Sequence, residues 1–105
     1  MSADDFQAAV QRLLAQVGHW ETGRWSRVAA AAPGTRADLV HTLVQRLADL
    51  GADAEHRPHH PVPREHDMIL PDQLRVMSDD LLAATPSPES LTEATTAITS
   101  VRAAL

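Results

Sequence analysis

The stretch Glu55-His56-Arg57-Pro58-His59-His60-Pro61-Val62-Pro63-Arg64-Glu65-His66-Asp67 breaks a chain whose other segments carry helical periodicity. It holds three of the seven prolines and four of the six histidines. Proline fixes φ, removes a backbone donor and drives the preceding residue out of the helical region. The stretch therefore predicts extended, polyproline-like backbone. Helices in small bundles are usually joined by about 2–8 residues. A link this long and stiff restricts where helices run and implies that the helix after it starts far from where the previous one ended.

On either side of the link the apolar residues recur at helical spacing. Phe6, Val10, Leu13, Leu14 and Val17 make one stripe of a helix over Ala3–Val17, with Ser2 as cap and Asp4 and Asp5 at its positive end. Thr22 predicts the cap of a short helix over Gly23–Ala32, with Trp25, Val28, Ala29 and Ala32 inward and Pro33-Gly34 as the stop. Thr35 and Asp38 resemble a capping box in front of Leu39, Val40, Leu43, Val44, Leu47 and Leu50. Gly51 either ends that helix or lies in a last turn that reaches Glu55. Beyond the link, Pro71 suits the first position of a helix lined by Leu70, Leu74, Met77 and Leu81 that stops near Ala84. Ser87 caps a final helix opened by Pro88, whose stripe is Leu91, Ala94, Ile98, Val101 and Leu105. No segment alternates with a period of two. The expected fold is all-α: a single domain over residues 1–105, an antiparallel four-helix bundle with one extra short helix and the long Pro/His-rich link.

The chain has 105 residues and no cysteine, which removes disulfides, thiolate metal sites and thiol nucleophiles. No apolar run is long enough for a membrane helix. The acidic start, Met1-Ser2-Ala3-Asp4-Asp5, lacks the features of a signal peptide, so the expected location is cytoplasmic. The formal charge is −5 and all nine basic residues are arginine. Lysine, asparagine and tyrosine are absent, a bias that the codon usage of a GC-rich bacterium accounts for. The arginines are scattered and form no basic stripe, which argues against nucleic acid as a partner.

Three constellations carry possible chemistry. The link's histidines, His59 and His60 above all, are candidate ligands for a divalent transition metal such as zinc or nickel, with Glu55, Glu65 and Asp67 as oxygen donors. In polyproline backbone, however, His60 and His66 lie about 19 Å apart, and the plainer reading is a solvated, stiff loop. Histidine titration also makes the link a candidate pH-sensitive patch. His41 lies beside the apolar stripe of its helix, either as a hydrogen-bonded boundary residue or as a metal ligand. Trp20 and Trp25, with His19, are candidates for an interface or an aromatic pocket. Five residues apart, they would stand about 140° from each other on one continuous helix. A turn between them would let both cover one end of the molecule as core. No Gly-rich phosphate loop, nucleophile elbow or Glu-x-x-His motif occurs.

The segment Trp25 to Val44, with Pro33-Gly34, Thr35 and Asp38-Leu39-Val40, resembles the N-terminal part of the DinB-like, mycothiol-dependent maleylpyruvate isomerase family. The resemblance implies a four-helix bundle with a divalent metal held by histidines. The family's ligand histidine would fall on Thr42, and this chain carries His41 one residue earlier. Two functions follow as expectations. The first is a non-enzymatic protein-interaction or regulatory module without a cofactor, acting on a protein partner or by homodimerisation. The alternative is a metal-binding DinB-like bundle with transferase or isomerase ancestry.

Overall fold

The computed structural model describes residues 2–105, and among them the regular structure is helical, without strands. The elements are α1 (Ala3–Val17), α2 (Thr22–Trp25), α3 (Arg36–Ala54), α4 (Leu70–Ala83) and α5 (Pro88–Ala104), with a single 3-10 turn at Asp67–Ile69 before α4. The long helices start where local chemistry requires it. Ser2 and Thr35 each complete a capping box, with Asp5 and Asp38 at the third helical position. Those backbone bonds hold both carboxyls below their ordinary pKa, Asp38 with further help from Arg64. Ser87 accepts from the Ser90 N–H, and Pro88 opens α5.

The apolar stripes converge on one core. Phe6, Leu13, Val17, Val40, Val44, Leu47, Leu70, Leu74, Leu81 and Ile98 are fully or almost fully buried there. α3 packs on α4 and α5, and α1 packs on the same two helices. Trp20, just beyond α1, lies under the guanidinium of Arg36 at the start of α3. The same arginine bonds the Leu105 carbonyl at the end of α5. The ends of α1 and α5 therefore share one end of the molecule with the start of α3. The 3-10 turn that opens α4 packs on α2 at this end too. Neighbours consequently run antiparallel in α1/α4 and α3/α5, and in the same sense in α3/α4 and α1/α5. The uniformly antiparallel arrangement expected from the sequence gives way in the latter two pairs, because the link carries the chain back before α4 begins.

The link achieves this by lying along α3 in the reverse direction. His59 meets Asp53, the His60 and Val62 backbone meets Gln45, and Arg64 meets Asp38. From Asp53 to Asp38 the helix rises about 22 Å at 1.5 Å per residue. The five residue steps from His59 to Arg64 span about 16 Å even at polyproline extension. The chain must be nearly straight here, and the side chains of His59 and Arg64 cover the remainder. Pro58, Pro61 and Pro63 supply that stiffness and present no backbone N–H that would need a partner.

The bounds of the short helix change. The short helix covers only Thr22–Trp25, with Glu21 rather than Thr22 as its cap, and residues 26–35 are irregular. The helix propensity of the alanine run yields to longer-range bonds. The Ala29 N–H donates to Gly34 O (3.0 Å), the Arg36 N–H to Arg27 O (2.8 Å) and the Ala31 N–H to Ala104 O (3.0 Å). Gly34 makes the turn at φ +84, a conformation that L side chains rarely adopt. As a result Ala29 is buried, while Val28 faces solvent instead of the core. For α3, the chain takes the second of the two endings read from sequence. The helix passes through the buried Gly51 to Ala54, and His56 in the left-handed region closes it with N–H bonds from His56 to Asp53 O and from Arg57 to Ala52 O.

Candidate interaction surface

Trp20 and Trp25 pack edge-to-face with centroids 5.0 Å apart, and both are buried. The turn between α1 and α2 lets them share one end of the molecule, which a continuous helix would prevent. Trp25 has no exposed face to offer a partner, and its indole Nε1 is buried without a hydrogen-bond acceptor. Arg36 stacks on Trp20 at 5.0 Å and donates to the carbonyls of Leu105 (3.3 Å) and Arg24 (3.4 Å). No local pattern marks this arginine's role, because Leu105 lies at the far end of the chain.

The histidines separate. His59 lies between two carboxylates of α3, with Nε2 at 2.7 Å from Asp53 and Nδ1 at 3.7 Å from Asp49. The hydrogen bond to Asp53 raises its pKa above the usual histidine value. The His60 ring is exposed, and only its carbonyl is engaged, by the Gln45 amide. His41 is partly buried, and burial, followed by the nearby Arg64 charge, lowers its pKa against the opposing pull of Asp38. Its Nδ1 is buried without a partner. Thr42, where the family resemblance would place a ligand, donates to Asp38 O within its own helix. Among the described residues, no three histidine, aspartate or glutamate side chains gather closely enough to hold a metal ion.

Gln45 organises the link. Its Nε2 donates to His60 O (3.0 Å), and its Oε1 accepts from the Val62 N–H (2.7 Å), so one amide grips the backbone on both sides of Pro61. Val62 is the link's buried apolar anchor, and Gln73 of α4 bonds Pro63 O at 3.1 Å. Between link, α3 and α4 remains a cavity of about 250 Å³ lined by Leu47, Gly51, Val62, Met77 and Leu81.

The exposed apolar side chains lie elsewhere. Among the described residues four large ones stand in solvent: Val28 (75 %), Val76 (50 %), Met68 (45 %) and Ile69 (41 %). Met68 and Ile69 belong to the 3-10 turn, which packs on α2 and leads into α4. Val28 follows α2 by three residues. Val76 is seven residues after Ile69 and so returns to the same helical face. Met68, Ile69 and Val76 therefore line the outer side of α4 and its leading turn, and Val28 is exposed in the segment that follows α2. Charges flank these side chains unevenly. Arg24 and Arg27 are exposed beside Val28, and among the described residues neither pairs with a carboxylate. Asp79 and Asp80 follow Val76 at three and four residues, also exposed and unpaired, while Asp72 is partnered by Arg75 at 3.4 Å. Sequence reasoning assigned Val28 to the core. The available signal was Val76, an apolar residue off its helix's buried stripe.

No helix among the described residues is long and apolar enough to cross a membrane. Compared with models of protein families, with curated proteins and with solved structures, the chain matches none.

Proposed function

We propose that this chain is a small four-helix bundle that works as a protein-interaction module, with the strip from Val28 through Met68 and Ile69 to Val76 as its contact surface. The observation that supports the reading is the exposure of Met68, Ile69 and Val76 together on α4 and its leading turn, with Val28 exposed after the neighbouring α2 and both tryptophans buried. Scattered apolar residues on a surface call for no explanation, but a contiguous row at a helix and its leading turn does. The link contributes by holding α4 parallel to α3, which turns the outer side of α4 away from the core.

Site-specific photocrosslinking tests this. A photoreactive benzoyl-phenylalanine in place of Val76, irradiated in the producing cells, is expected to give a defined protein adduct. The same group in place of the exposed Thr92 on α5 is expected to give none. Equal adducts at both positions, or none at either, overturn the proposal.

A further inference from the structure

The strip reads cation, apolar, anion along its length. Arg24 of α2, with Arg27 three residues on, lies toward one end, Met68 and Ile69 of the turn that packs on α2 follow, and along α4 Val76 leads to Asp79 and Asp80. Near the middle Asp72 pairs with Arg75 and Asp67 lies 3.8 Å from Arg64. Glu21 borders the same depression as Arg24 and Arg27 but reaches neither guanidinium.

A strip of this kind is complementary to itself when turned end for end. A two-fold axis through its middle brings the arginines of one copy onto the carboxylates of the other, twice over, with Met68 and Ile69 meeting their own counterparts at the centre. The same rotation sets α4 antiparallel to its copy. The opposite choice, two strips aligned the same way, would put arginine on arginine and aspartate on aspartate. From this we infer that the partner is a second copy of this chain, forming a closed two-fold dimer through the α2–α4 side. The inference rests on the proposed interaction surface and goes beyond it by naming the occupant. In such a dimer the carboxylates of one copy become the partners of Arg24 and Arg27 of the other. Steering by these charges also predicts that assembly weakens as salt rises.

Charge exchange provides the test, on the full chain and at exposed positions where folding is not at stake. Sedimentation equilibrium is expected to show a dimer that loosens with ionic strength. The Arg24→Glu/Arg27→Glu variant and the Asp79→Arg/Asp80→Arg variant should each raise the dimer dissociation constant by about tenfold or more. Mixed in equal amounts, the two variants regain both ionic contacts and should form a one-to-one heterodimer at the wild-type concentration. A wild-type monomer at all concentrations, self-association unchanged by either variant, or a mixture that fails to pair each overturns the inference. A Val76 photoadduct to a different protein, with no dimer, sinks the second-copy assignment and leaves the interaction reading standing. Absence of both the dimer and the adduct removes the two together.

Discussion

Residues 26–35 and 55–66 are both irregular segments attached to α3, and they are secured in opposite ways. The first is tied to the interior. It follows the fully buried Trp25, buries Ala29, and bonds the carbonyls that end α5. The second lies outside, with Val62 buried and the rest held by the Gln45 amide, Gln73 and ion pairs at the surface. Lack of regular secondary structure thus says little about rigidity. What matters is whether the anchors are shared with the core or with solvent, since exposed ion pairs contribute little and buried aromatic contacts contribute much.

The comparison breaks most visibly at Trp25. Trp25→Ala should cost about 3–5 kcal/mol of global stability, read by denaturant unfolding, because it empties a fully buried site and removes the partner of Trp20. A loss under 1 kcal/mol would place the first segment in the same class as the link. Next comes Gln45→Ala, which leaves the Val62 N–H and the His60 carbonyl without their clamp and should cost about 1–3 kcal/mol. Hydrogen exchange should show faster exchange at Val62 than in the core of α1. Uniform acceleration through the whole chain would mean that the link and core open as one unit.

The smallest effect belongs to His59. Its folded pKa is raised by Asp53, so its contribution is complete below about pH 6.5 and is lost as pH rises through the raised value. His41 acts in the other direction: its folded pKa is lowered, so its contribution is present above about pH 6.5 and is lost as pH falls through the lowered value. Asp53→Asn should return the His59 titration, followed by NMR, toward the ordinary histidine range and leave His41 unmoved. An unchanged His59 titration in that variant would remove Asp53 as the cause.

The features legible in the sequence were those written within a few residues. Ser2, Thr35 and Ser87 marked helix starts because a cap is a local bond, and the stripes on α1, α3 and α4 marked buried faces because each repeats within one helix. The reach of the link was legible from its prolines. The directions of neighbouring helices were not, since they depend on the link lying along α3 through Gln45, a contact between residues with no pattern in common. Residues 26–32 read as helix from their alanines, and only bonds to Ala104 and Leu105, more than seventy residues away, explain why they are not. The contact strip was hidden for a related reason. Val28 is exposed by that same departure, and Met68 and Ile69 adjoin α2 only in the folded chain.

The parallel course of α3 and α4 also constrains the order in which the molecule can assemble. Of the four long helices, α1 and α3 are consecutive without substantial packing on each other, and so are α4 and α5. Only α3 and α4 are both consecutive and packed, and what lies between them is the proline link. Every other large contact joins helices with at least one long helix between them in the chain, at a loop-closure cost that grows with the logarithm of the intervening length. A stiff link has already given up much of the freedom that a flexible one would lose on docking. The prolines that look like an interruption in the sequence thereby shorten the search for the one helix pair this chain can build from a contiguous stretch.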